Sequence, residues 1–154
     1  WAAMDRKDDF LSKAQTLNRA MHEQLNARSI KYNWHDAKVS VLEGIMARGD
    51  RRLSAVLQYA YEHGALFDAW TETFSEQPWI EAFEHCKIDP DFYVHRERDL
   101  DEILPWDFID AGVSRAFLEK EWEKAQNAEV TSNCRDHCNG CGAGVFGGGI
   151  CYAR

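Results

Sequence analysis

The chain lacks any apolar run near the length of a membrane span, and it lacks a basic-then-apolar leader. Neither a transmembrane helix nor a secretory signal is therefore expected, and the expected setting is cytoplasmic. It also lacks an excess of basic charge. Eighteen Lys and Arg stand against 26 Asp and Glu, a formal charge of -8, and such a surface repels a phosphate backbone. Broad nucleic-acid binding is not expected of the chain alone. Sustained apolar–polar alternation and hairpin turn signals are missing, which argues against a sheet, and there are no internal repeats. Cysteine is almost missing from the first 133 residues, where Cys86 stands alone. A small disulfide scaffold would spread its cysteines through the chain, so that class is disfavoured too. The chain has no initiating methionine, and a start at Trp1 is expected of a piece cut from something longer.

What is present is ordinary globular composition. Apolar residues make up 45% and charged residues 29%, and six Trp and eight Phe can anchor a core. At 154 residues the chain can bury roughly two-thirds of the surface its unfolded form exposes. Phe10, Ala14, Leu17, Met21 and Leu25 recur in steps of three and four, predicting a helix from about Asp5 with acidic Asp5, Asp8 and Asp9 at its start. Val39, Leu42, Ile45 and Met46 predict a second, capped by Asp36 and stopped at Gly49. Asp50 is expected to cap a third, with Leu53, Val56, Leu57 and Ala60 buried and Gly64 at its end. A fourth is expected from Ser75 to Cys86, with Pro78 in its first turn. Val113, Phe117, Leu118, Trp122 and Ala125 predict a fifth. The fold class is all-α, about five helices arranged irregularly. Lys87 to Asp110, rich in acidic and aromatic residues, is expected to be an irregular stretch docked through Phe92, Tyr93, Trp106 and Phe108. Composition then shifts, dividing a helical domain at 1–128 from a Cys/Gly-rich tail at 129–154.

The tail reads Cys134-x3-Cys138-x2-Cys141-x9-Cys151, and six of the ten glycines lie between Gly140 and Gly149. Thiolates two to four residues apart on glycine-rich turns can converge on one metal ion or cluster. Four sulfurs would close a tetrahedral zinc site or saturate a four-iron cluster, and three would leave one iron open. His137 is the one histidine entertained as a further ligand. Two other readings stand beside this: a tail that binds nothing, and a redox pair at Cys138 and Cys141. A redox pair normally opens a helix, and nothing after Cys141 reads as helical. The loop before Cys151 carries no other spacing signal, which leaves that ligand open. The first two spacings, Cys134-x3-Cys138-x2-Cys141, match those holding the catalytic cluster of radical S-adenosylmethionine enzymes. Here, however, the preceding chain is helical, Gly140 stands where an aromatic residue is common, and only 13 residues follow Cys141.

Three stretches carry a more specific likeness: WHDAKVSVLEGIMARGDRRL from Trp34 to Leu53, FDAWTETFSEQPWIEAF from Phe67 to Phe83, and LPWDFIDAGVSRAF from Leu104 to Phe117. With NCRDHCNGCG from Asn133 to Gly142, they resemble the C-terminal region of an uncharacterised family of radical S-adenosylmethionine iron–sulfur proteins. Members commonly carry an N-terminal cobalamin-binding-like domain. The resemblance implies an iron–sulfur oxidoreductase parent that cleaves S-adenosylmethionine on a barrel this chain does not contain. The chain would be a non-catalytic accessory domain partnered with that barrel. Its tail would hold an auxiliary iron–sulfur cluster or a structural metal, with zinc as the alternative. The competing class is a zinc-stabilised module that docks protein or RNA. Gly147 to Gly149 and the closing CYAR have no counterpart in the family motif.

Other residues are weaker candidates for cofactor or substrate binding. His35 could line a cleft, or could simply hydrogen-bond locally while Asp36 caps a helix. Arg48, Arg51 and Arg52 flank Gly49-Asp50 and could clamp a phosphate or carboxylate, or could pair with Glu43 and Asp50. Asp107 and Asp110 could be paired carboxylates, although capping explains Asp110. His22, His63, His85 and His95 read as packing residues.

Overall fold

Apolar residues at helical spacing become helices in the computed structural model, which describes residues 1–25, 32–70 and 72–147. The order is α1 (Lys7–Leu25), α2 (Ala37–Arg48), α3 (Leu53–Glu62), α4 (Gln77–Cys86), α5 (Asp91–Val94), α6 (Arg115–Gln126) and a one-turn 3-10 helix, η1 (Ala143–Phe146). No strand occurs among the described residues, and the fold is all-α. No described helix is long and apolar enough to cross a membrane.

Helix starts follow local chemistry. Asp36 caps α2 as expected, its Oδ1 accepting from the Lys38 and Val39 amides at 2.9 and 3.1 Å. Asp50 acts one step earlier than a helix cap. Its Oδ1 accepts the Arg52 amide and its carbonyl the Leu53 amide, closing the turn that launches α3. Helix α1 starts at Lys7, so Asp8 and Asp9 occupy its first turn while Asp5 pairs with Lys13 at 2.5 Å. The last helix is capped by Ser114, whose Oγ accepts the Phe117 amide. Two short helices, α5 and η1, were beyond the reach of periodicity; η1 corrects the expectation that nothing after Cys141 is helical.

The chain divides into two compact units, Trp1–Asp99 and Leu100–Arg154. In the first, α3 packs on α4, and α2 packs on both α1 and α5. The core joins Ile45, Leu53, Val56, Ala60, Ala82, Phe83, Tyr93 and Val94. Leu57 departs from its expected burial and is 46% exposed, because Val56 and Ala60 fill the inward stripe of α3. Arg98 is buried, and its guanidinium donates to the carbonyls of Tyr93 (3.0 Å) and Arg48 (3.3 Å). This arginine ties the end of α2 to α5, and pattern reading had passed it over.

The second unit is built otherwise. No hydrophobic side chain is buried in it among the described residues. Phe108, expected to dock, is 85% exposed, and α6 buries none of its side chains. Arg115 holds the loop before α6 instead, donating to Asp107 (3.1 Å), to Glu119 (3.2 Å) and to the carbonyls of Leu100 and Glu102.

Candidate functional site

The cysteine tail follows α6 and returns to its start. The Ser114 amide donates to the Cys141 carbonyl at 2.8 Å, so the residue that caps α6 also fixes the middle of the tail. Gly142 makes this approach possible. Its φ is +97°, and a Cβ there would stand 2.9 Å from the Gly112 carbonyl oxygen. Only glycine combines that backbone region with that space.

Among the described residues of the tail each thiol has a donor. The Gly140 amide points at Cys138 Sγ (3.4 Å), and the Ala143 amide at Cys141 Sγ (3.5 Å). The amide-to-sulfur spacing thus occurs twice, each amide lying two residues past its cysteine, on turns that differ: the left-handed glycine is Gly140, two residues after Cys138, and Gly142, one residue after Cys141. Cys134 Sγ receives the Asn139 side-chain amide at 3.8 Å, and that amide is held by the Ser132 carbonyl at 2.9 Å. An N–H aimed at sulfur solvates negative charge there, which suits a thiolate ligand. The three cysteines are free thiols, Cys134 and Cys138 exposed and Cys141 half-buried.

Among the described residues no group of three Cys, His, Asp or Glu side chains converges as a metal site. Cys151 lies outside the described residues. The His137 ring sits beside the Ser132 hydroxyl, with Nε2 at 3.1 Å. Donor type and local turns fit a thiophilic metal: three sulfurs, each with its own N–H donor, on a glycine-rich loop. The redox reading gains little, since neither Cys138 nor Cys141 opens an α-helix.

The remaining candidates sort by their partners. His35 is exposed, 3.9 Å from Glu43, and lines no cavity described here. Arg48 donates to the Ala2 carbonyl (2.8 Å) rather than to a carboxylate. Arg52 grips Asp50 with Nε and Nη2 at 2.7 to 3.1 Å, as the pairing reading expects. Its guanidinium holds the Asp50 carboxyl below the usual carboxylate range, while burial works in the opposite direction. Among the described residues Arg51 has no such partner. Asp107 and Asp110 serve separate turns, accepting from the Leu104 and Gly112 amides. His63 and His85 both stack on Tyr59, with centroids 3.9 and 4.4 Å away, and His95 Nδ1 lies 3.1 Å from the Met4 carbonyl.

The first unit also holds two cavities. One, of about 370 Å³, has an apolar floor including Val41, Leu42 and Trp79. Its rim cations Lys7 and Lys38 are both paired with Glu76, at 3.0 and 2.9 Å. The other, of about 820 Å³, opens between the start of α3 and the end of α4 and includes Arg51, Arg52, His85 and Lys87. Sequence had flagged the two arginines, but not Lys87, which joins them only through the packing of α3 on α4. No protein-family model, curated protein or solved structure matches the chain.

Proposed function

We propose that the chain is a non-catalytic helical accessory domain of a radical S-adenosylmethionine iron–sulfur enzyme, and that its tail binds a metal through Cys134, Cys138 and Cys141. The observation that carries the metal reading is the pair of backbone amides, Gly140 and Ala143, each pointing at the sulfur of the cysteine two residues before it, Cys138 and Cys141. The lack of buried hydrophobic side chains among the described residues of Leu100–Arg154 supports it as well. Units below roughly 70 residues ordinarily need a metal, disulfides or a partner to stay folded. The enzymatic setting rests on the resemblance of Trp34 to Leu53, Phe67 to Phe83 and Leu104 to Phe117 alone. In that setting S-adenosylmethionine belongs to the missing barrel, and the barrel is the partner of this domain. A cluster on these thiolates supplies electron transfer, whereas zinc supplies a cross-link.

A second reading is a zinc-stabilised docking module. Exposed Ile103, Phe108 and Ile109 in the cysteine-bearing unit favour it, and with a net charge of -8 they favour a protein partner over RNA. Metal and acid-labile sulfide analysis of the 154-residue chain purified without oxygen separates the two. Iron with matching sulfide supports the auxiliary cluster. Zinc without sulfide supports a structural cross-link or a docking role, and a metal-free protein rules out metal binding by the tail. S-adenosylmethionine cleavage by the chain alone would overturn the accessory assignment.

A further inference from the structure

We infer that the cavity between the start of α3 and the end of α4 binds a small organic molecule through an oxyanion, a phosphate or a carboxylate, held between Arg51 and Lys87. This site is separate in sequence and chemistry from the cysteine tail and does not depend on a metal.

The first argument is charge. The chain is acidic, with a formal charge of -8, and several of its cations are consumed by carboxylates: Lys7 and Lys38 by Glu76, Lys13 by Asp5, Arg6 by Asp91. Arg52, on the cavity wall, is likewise committed to Asp50. It is held further by the faces of Phe92 and Tyr93, whose centroids lie 5.5 and 5.8 Å from its guanidinium carbon. Arg51 and Lys87 make no ion pair among the described residues. The lining carboxylate, Asp89, already accepts the Asp91 amide at 3.0 Å through Oδ1. Arg51 and Lys87 therefore face the cavity against a single carboxylate, Asp89, and the lining keeps a net positive charge.

The second argument is the backbone at Lys87. It ends α4 in the left-handed region, φ +56°, with its amide donating to Glu84 and that of Ile88 to Phe83. Glycine is the residue this helix ending favours. A lysine there places a strained backbone and a free ammonium at the mouth of the cavity, and strain of this kind clusters at ligand sites. The third argument is size. About 820 Å³ of open groove far exceeds a bare phosphate and leaves room for an organic remainder beside the anion. Ala55 and Ile88 supply apolar wall for the rest of the ligand.

The experiment titrates the 154-residue chain with inorganic phosphate, phenyl phosphate and benzoate at low salt, following backbone amide shifts by NMR. Saturable shifts of the Arg51–Ala55 and Lys87–Asp89 amides that weaken with added salt are expected, with phenyl phosphate binding more tightly than inorganic phosphate. Benzoate matching phenyl phosphate would identify a carboxylate ligand, and benzoate binding less tightly a phosphate ester; both support the site. Arg51→Ala should weaken phenyl phosphate binding about tenfold. Lys87→Gly should weaken it comparably while raising the melting temperature, because the left-handed strain is relieved. That combination cannot come from unfolding. The absence of saturable shifts at these amides, or undiminished affinity in both variants, would overturn the inference.

Discussion

The two units of this protein are ordered by different forces, and the contrast explains why one resembles a finished domain and the other does not. In Trp1–Asp99, Val56, Ala60, Ala82 and Val94 are fully buried, and each apolar side chain of valine size contributes about 1.5–3 kcal/mol. In Leu100–Arg154 the described residues are joined by caps and ion pairs: Ser114 to Phe117, Arg115 to Asp107 and Glu119, Lys124 to Glu121. Pairs of that exposure contribute roughly 0–1 kcal/mol each and weaken in salt. A unit assembled from them has little to oppose its chain entropy. Cys134, Cys138 and Cys141 sit in that second unit, where a metal cross-link would matter most.

The largest effect that would test the contrast is in the core. Phe83→Ala should cost about 3–5 kcal/mol in the first unit, read as a shift in the urea midpoint. A loss under about 1 kcal/mol would mean the core is not what orders that unit. Next comes the metal. Replacing Cys138 and Cys141 by serine should abolish metal binding and destabilise Leu100–Arg154 by about 3 kcal/mol relative to the metal-loaded protein. Hydrogen exchange should quicken along α6 and stay unchanged along α3 and α4. Equal exchange in α6 with and without the thiols would break the link between metal and order. Gly142→Ala is smaller, about 1–3 kcal/mol, because a φ of +97° and the nearby Gly112 carbonyl both oppose a Cβ. Its signature is loss of protection at the Ser114 amide, which donates to Cys141.

Much of the first unit could be read from sequence, and the reason is periodicity. Helices α1 to α4 and α6 are ten residues or longer, so their apolar stripes and caps repeat often enough to be seen; Asp36 is the clearest case. The one-turn helices α5 and η1 are too short to carry a period. Phe108 looked like core because it is aromatic, yet hydrophobicity does not say whether a partner surface lies within reach, and it is 85% exposed. The sites divide similarly. Cysteine spacing and the glycines that turn the chain are local, so the amide-to-sulfur turns follow from CNGCG almost directly. The pairing of Arg52 with Asp50 is local too. Lys87 carried no such signal, because its place on the same cavity as Arg51 depends on α3 packing against α4, a contact between residues far apart in sequence.

The smallest effect concerns the Asp50–Arg52 pair, and its sign can be fixed in advance. Hydrogen bonds from the Arg52 guanidinium lower the Asp50 pKa in the folded protein; burial opposes this, and the Tyr93 hydroxyl, 3.4 Å away, adds to the lowering. A carboxyl whose folded pKa lies below its unfolded one contributes stability above the unfolded value. That contribution fades as pH falls through the folded one. Wild type should therefore exceed Asp50→Asn in stability at neutral pH, with the gap closing between about pH 5 and pH 2. The gap should be modest, because the Arg52 side chain is 61% exposed and water screens the pair. It should also shrink in high salt. A gap that widened on acidification would mean that Asp50 acts through its neutral form. The turn that launches α3 would then rest on the backbone bond from Leu53 to the Asp50 carbonyl rather than on charge.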